Sequence, residues 1–298
     1  MFEDRGLQEI VLNRISKFTI QIWERDRDCS KWCPTASGVL CRDDSNFYLV
    51  TCAHLFSGDT DWDKVQGLVM SNTFTPLNEE LIKAPDTLDD GKCDIAIIKL
   101  SKETKEYLIA HDYAFLESNK MGVNLSIQNG SVLCVCGYPA SKTEGPLRGK
   151  DGNFIKVEAF SEPEQKIKSF PMIIESKATK LILPYISSEV RYKKLDLDKS
   201  SHILLDFHYK KLSTSNGHRT MLPKPNGLSG SGLWAITSNE EYYLMGIMIE
   251  YDLKNSYMLA TRIDYATELM RQLYNSQIPR SNIALIDWYL DNTIPDKL

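Results

Sequence analysis

Apolar and polar residues alternate over short runs along most of the chain. Phe18-Thr19-Ile20-Gln21-Ile22-Trp23 has the period of two expected of a half-buried strand. Residues 37–41 and 46–52 read as a strand pair joined by the four-residue loop Arg42-Asp43-Asp44-Ser45. Residues 66–70 suggest another strand. Residues 94–100 are almost wholly apolar after Asp94, which predicts a strand buried on both faces. Together these runs are enough to close a barrel of six strands by about residue 115. Residues 116–130 are polar and rich in turn formers, and read as a crossing between two halves. Residues 131–139 open the second half. Further strand-like runs fall at 154–160, 171–175, 203–209, 231–237, 242–250 and 257–260. Many short strands separated by turns predict an all-β barrel or sandwich. Helical spacing is confined to the ends. Residues 6–16 place Leu7, Ile10, Val11 and Ile15 on one face. Thr261-Arg262-Ile263-Asp264 fits a capping box, followed by the apolar face Ile263, Ala266, Met270 and Leu273. A last helix is expected over 281–291, around Trp288.

Composition narrows the function classes. Of the 298 residues, 42% are hydrophobic and 25% charged, as in ordinary soluble proteins. A net charge of −5, with the basic residues dispersed, gives no electrostatic case for nucleic acid or an anionic membrane. No run reaches the roughly 18 apolar residues of a membrane helix. Met1-Phe2-Glu3-Asp4-Arg5 has neither the apolar core nor the cleavage site of a secretory leader, so a cytoplasmic location is expected. The seven cysteines (29, 33, 41, 52, 93, 134 and 136) are an odd number and are expected to be free thiols. Cys134 and Cys136 share one face of a strand, as buried small hydrophobes do. Cys29 and Cys33 have loose zinc-pair spacing, but no second close pair accompanies them, so no metal and no cofactor is expected.

The chain's candidate chemistry centres on Pro225-Asn226-Gly227-Leu228-Ser229-Gly230-Ser231-Gly232-Leu233-Trp234. A serine hydroxyl attacks a carbonyl only if a base removes its proton. It also needs N–H groups aimed at the oxyanion that forms. Glycines at 227 and 230 allow a turn that exposes such amides. The strand leading into Thr51-Cys52-Ala53-His54 supplies a histidine. Asp94, opening Asp94-Ile95-Ala96-Ile97, supplies a carboxylate. Each stretch alone has a plainer reading: a Gly-rich turn, a satisfied core histidine, a strand-end cap. In this order and context, the three resemble the chymotrypsin-like (trypsin-fold) serine peptidases. Thr-Cys-Ala-His is similar to that family's Thr-Ala-Ala-His, and Gly-Leu-Ser-Gly-Ser to its Gly-Asn-Ser-Gly-Ser. A strand ending in Gly137-Tyr138-Pro139 points to the bacterial branch that includes glutamyl endopeptidases.

The resemblance implies two six-stranded antiparallel β-barrels. An N-terminal helix (1–16), a first barrel (17–115), a linker (116–130), a second barrel (131–261) with a long insert (141–201), and C-terminal helices (262–298) are expected. It implies an endopeptidase in which Ser229 attacks, His54 shuttles the proton, and Asp94 orients His54. Gly227 and Ser229 would supply the oxyanion hole. Lys224, Met248 and Glu250 would line the primary pocket, Met248 standing where glutamyl endopeptidases carry a histidine. Lys224 and Glu250 would each charge the pocket, or pair and cancel, while Glu250 is equally a solvated strand end. All five histidines (54, 111, 202, 208 and 218) precede Ser229, which excludes an α/β-hydrolase order. Ser231 reads as a packing position, and the other histidines as surface, strand or loop residues.

Several positions depart from the family. Leu55 follows His54, so the disulfide that secreted relatives place there is absent. Leu228 replaces the aspartate that pairs with a new N-terminus in many zymogens, so control by the insert or by a protein partner is expected. A protein or peptide is the expected substrate. The alternatives are a catalytically silent peptide- or partner-binding module on the same fold, and an esterase.

Overall fold

The computed structural model describes residues 5–25, 32–43, 46–56, 66–70, 73–76, 80–83, 93–127, 132–139, 170–171, 178–208, 225–237 and 241–274. The runs expected at 154–160 and 281–291, and residues Cys29, Lys224 and His218, lie outside them.

The first half begins with α1 (Arg5–Lys17) and continues through β1 (Thr19–Arg25), β2 (Trp32–Asp43) and β3 (Asn46–Thr51). Then come β4 (Gln66–Met70), β5 (Thr73–Pro76), β6 (Glu80–Lys83), β7 (Ala96–Lys99), α2 (Lys102–Ala110) and β8 (Leu116–Glu117). The second half holds β9 (Val132–Gly137), β10 (Phe170–Pro171), β11 (Thr179–Pro184), α3 (Glu189–Lys194) and β12 (His202–Asp206). It ends with β13 (Gly232–Ile236), β14 (Tyr242–Asp252), β15 (Tyr257–Arg262) and α4 (Ile263–Tyr274).

The strands form two curled sheets, ordered β10-β5-β4-β1-β2-β3-β7-β6 and β11-β9-β13-β14-β15-β12. Pairing is antiparallel throughout, except that β8 runs parallel to β2. The all-β architecture with a sheet for each half is as expected. Among the described residues the second sheet has six strands, but the first has nine. The additions are short. β5 and β6 have four residues each, too few to show a period, and β8 has two. β10 comes from the long insert and crosses to the first sheet, pairing Phe170 with Phe74.

Among the described residues, apolar clusters fill each half and join the two, and one of them gathers Cys52 with Tyr192, Leu204, Ile249 and Leu259. Ile20, Ile22, Leu40, Leu49 and Ile98 fill the first sheet, and Val135, Leu183, Leu205, Leu233 and Met258 fill the second. Another joins both halves: Val39, Tyr48, Val50 and Ile97 meet Cys134, Cys136, Trp234 and Ile247, with α1 and α4 closing over them. Cys134 and Cys136 thus share a buried face as their spacing required. All the described free cysteines (41, 52, 93, 134 and 136) are buried.

Four local expectations need correction. The β2–β3 pairing continues to Asp43 opposite Asn46, so the strands run closer to the turn than the polarity of Arg42-Asp43 suggested. On α1, Val11 and Ile15 are buried, but Ile10 is 49% exposed, so the buried face lies nearer Leu12. No capping box forms at α4. Thr261 and Arg262 belong to β15, and the helix starts directly after them at Ile263. Thr261 Oγ1 is buried with no partner among the described residues, and Asp264 Oδ1 accepts from Asn124 N (2.8 Å) instead. Finally, α2 escaped the sequence reading because only Thr104 and Leu108 on it are buried, too few to reveal a helical stripe. Ser101 Oγ caps it by accepting from Thr104 N.

Candidate active site

His54 and Asp94 come together because β3 and β7 are neighbours. They pair from Thr51 opposite Ala96 to Tyr48 opposite Lys99. His54 follows the end of β3 in a single 3₁₀ turn (Ala53–Phe56), and Asp94 stands just before β7. Asp94 then reaches the histidine twice. Its Oδ1 accepts from the His54 backbone N–H at 2.6 Å, and its Oδ2 contacts the ring at Nδ1. The first bond fixes the carboxylate, and the second fixes the imidazole plane, leaving Nε2 on the ring edge away from Asp94. The His54 side chain is 44% exposed and Asp94 17%. A sheltered carboxylate therefore backs an accessible base.

Cys52 packs beside this pair. Its Sγ lies 3.6 Å from His54 Nε2. Burial pushes the Cys52 thiol well above its ordinary range, and the Asp94 carboxylate adds to the shift. The thiol is therefore neutral at physiological pH and does not compete as a nucleophile.

Ser229 sits in the turn preceding β13. Gly227 and Gly230 adopt φ of 89° and 80°, the left-handed region in which a Cβ is strained. Space gives a second reason at 230. A Cβ there would lie 2.0 Å from Ser37 O and 2.1 Å from Thr51 Oγ1. This contact also locates the turn, since Thr51 is three residues before His54. The turn is held from both sides. Leu228 N donates to Pro225 O (2.9 Å), Gly230 N to Met248 O (2.7 Å), and Ser231 N to Leu228 O (2.9 Å). By contrast, the N–H groups of Gly227 and Ser229 make no hydrogen bond among the described residues. Two neighbouring amides without internal partners are what an anion-stabilising turn requires.

Ser37, on β2, is a contributor the sequence reading missed. It is fully buried, and all its polar groups are used. Its N–H donates to Ser229 O (2.8 Å) and its carbonyl accepts from Thr51 Oγ1 (2.8 Å). Its hydroxyl donates to Gly227 O (2.9 Å) and accepts from Tyr138 N (2.8 Å). One residue thus ties the serine turn to β2, β3 and the end of β9: its hydroxyl links Gly227 to Tyr138, and its main chain links Ser229 to Thr51. Its sequence signal was slight: a serine beside Gly38 in an otherwise ordinary strand.

The remaining expected residues are placed as follows. Ser229 is partly exposed, and its Oγ makes no hydrogen bond among the described residues, to His54 or otherwise. Ser231 is fully buried, in keeping with a packing role. Met248 is 2% exposed and packs with Leu228 in the core of the second sheet. Glu250 is exposed, and accepts from Tyr257 OH at 2.9 Å. The register of β14 slips between Met248 and Glu250, a bulge that leaves Ile249 in the buried cluster with Cys52. Such bulges re-aim side chains next to functional sites. Tyr251 was not anticipated. Its hydroxyl donates to Asn226 Oδ1 (3.2 Å), spanning from β14 to the residue before Gly227. The other described histidines lie elsewhere. His111 Nδ1 contacts Tyr107 O, His202 is buried at the start of β12, and His208 faces Asp206.

No protein-family profile and no curated protein matches the chain. Solved structures do. A granzyme, GrC, superposes with a TM-score of 0.51 at 14% identity, covering 88% of this chain and 96% of its own. A mutant of human heparin binding protein superposes at 0.50 with 11% identity, covering 89% and 95%. An inactivated protease paralogue of the scabies mite superposes at 0.51 with 13% identity, covering 88% and 97%. At these identities the likeness establishes the fold: the chain is built on the trypsin-like two-barrel scaffold. Among the described residues, no helix is long and apolar enough to cross a membrane.

Proposed function

We propose that the protein is a serine endopeptidase that cleaves protein or peptide substrates through an acyl-enzyme. The observations that support this reading are the Asp94–His54 pair and, packed on Thr51 three residues before His54, a turn whose Gly227 and Ser229 amides make no hydrogen bond among the described residues. In the proposed cycle, Nε2 of His54 takes the Ser229 proton as Oγ attacks the carbonyl. Asp94 holds the imidazole and stabilises its charged form. The two amides receive the oxyanion, a contribution of about 3–4 kcal/mol per donor in well-studied cases. His54 then passes the proton to the leaving amine, and water repeats the sequence on the ester. The placing near the bacterial glutamyl endopeptidases rests on the sequence motifs alone. A cytoplasmic setting, and control by the insert or a partner, are part of the same proposal.

A second reading is a silent binding module on this scaffold. Ser229 Oγ has no hydrogen bond to His54, and Tyr251 bridges to Asn226 beside the nucleophile turn. One structural neighbour is itself an inactivated protease paralogue. A fluorophosphonate probe separates the two. The peptidase reading requires labelling of the wild type that is lost in Ser229→Ala and His54→Ala, together with release of new N-termini from a denatured protein substrate. Equal labelling of all three proteins, or none, sinks it. Ester turnover without peptide turnover would instead assign an esterase.

A further inference from the structure

The resembled family places alanine two residues before its histidine, whereas this chain has Cys52. Cys52 belongs to a group in which a sulfur, an imidazole and a carboxylate offer donor atoms all within 4.8 Å of one another, the one such group among the described residues. The arrangement inside the group is specific. Sγ and His54 Nε2 are 3.6 Å apart. Tetrahedral zinc binds sulfur at about 2.3 Å and imidazole nitrogen at about 2.0 Å, so two such ligands are about 3.5 Å apart. Asp94 contacts the opposite ring nitrogen and takes the His54 backbone N–H. A carboxylate behind the imidazole is the outer partner that orients zinc-bound histidines and raises their basicity. The sequence alone gave no hint of this pairing, because two residues from a strand end and a 3₁₀ turn have no recognisable ligand spacing.

We propose that Cys52 Sγ and His54 Nε2, backed by Asp94, form an inhibitory site for a thiophilic divalent cation of the zinc class. On binding, the Cys52 thiol releases its proton to solvent and the thiolate bonds to the ion. The Nε2 lone pair forms the second bond, and nothing is oxidised or reduced. The remaining positions on the ion are filled by water or by a hydroxyl from the cleft. Binding would silence the enzyme, because the lone pair that accepts the Ser229 proton is then engaged. The effect on activity rests on the peptidase reading, but binding itself does not.

The test uses cobalt(II) as a visible substitute, titrated into the intact chain with a non-chelating reductant. The wild type is expected to develop a thiolate-to-cobalt charge-transfer band saturating at one equivalent. Cys52→Ala should lack it, and Asp94→Asn should bind cobalt about 10–100-fold more weakly. Cys52→Ser, which keeps the side-chain volume, should also lack the band, so its loss is not a packing artefact. In parallel, zinc should slow fluorophosphonate labelling of the wild type by at least about tenfold, while labelling of Cys52→Ala is unaffected by zinc. A band of equal intensity in Cys52→Ala, or none in the wild type, overturns the proposal. If metal-free protein is never labelled, the peptidase reading fails separately, and the cobalt band still decides the metal site.

Discussion

Ser37→Ala isolates what holds the oxyanion-binding turn in shape. The substitution leaves the Ser37 main chain in place, so the bonds to Ser229 O and from Thr51 Oγ1 persist. What disappears is the hydroxyl that donates to Gly227 O and accepts from Tyr138 N. Both partners sit against a fully buried position. Leaving a buried polar group unpaired costs about 1–3 kcal/mol, so the two together cost about 2–6 kcal/mol unless water enters. The catalytic consequence is separate. With its carbonyl released, Gly227 can rotate its peptides away from the geometry that presents its N–H. Losing one oxyanion donor lowers kcat by about 10²–10³-fold and leaves KM nearly unchanged. The assay is steady-state hydrolysis of an activated ester or peptide alongside thermal unfolding, at a temperature where the variant is fully folded. Ser101→Ala serves as a matched control. It removes the α2 cap at a stability cost of about 1 kcal/mol with no contact to the turn. A folded Ser37→Ala protein with kcat within about threefold of the wild type would show that the turn keeps its shape unaided, and the reasoning would fail.

Three further outcomes are expected. Gly230→Ala should leave little soluble folded protein, because its Cβ would lie 2.0 Å from Ser37 O at a φ of 80°; a melting temperature near that of the wild type would contradict this. Tyr251→Phe removes the bond to Asn226, a neutral contact of about 0.5–1.5 kcal/mol, and should raise kcat/KM about 2–10-fold on peptides with bulky residues before the cut; an unchanged preference profile would show that the bridge does not gate the cleft. Burial pushes the Cys136 thiol from 9.0 up to about 11, so the native state holds a proton that the unfolded chain has released above pH 9. Its contribution is complete below pH 9 and is lost as pH rises toward 11, with a slope of at most about 1.4 kcal/mol per pH unit. Melting temperature followed over that range should fall more steeply in the wild type than in Cys136→Ala, and identical slopes would count against it.

The parts legible in the sequence were those with a period or a neighbour. Alternation exposed β1, the hairpin spacing exposed β2 and β3, and apolar runs exposed β7 and β14. The Asp94–His54 pair followed from two strand ends that a sheet places side by side. What escaped has a common physical origin. Ser37, Cys52 and Tyr251 act through contacts between elements distant in sequence, and none of them disturbs the local pattern. Ser37 and Gly227 are 190 positions apart, yet share a buried hydrogen bond. Cys52 continues an apolar strand end without disturbing the pattern. Its significance lies in which ring nitrogen it faces, and that is set by Asp94 holding the other.

The serine turn was legible in the sequence although its geometry was not. Glycine at 227 and 230 is forced by φ and by the approach of β2, so the demand is written into residue type. The orientation of the Gly227 peptide is instead imposed from outside, by a hydroxyl on a strand of the other half. The turn therefore depends on the first sheet for its shape, just as His54 depends on it for its position. Both halves of the proposed machinery are anchored to β2 and β3. A perturbation of the β2–β3 hairpin should consequently damage nucleophile and base together.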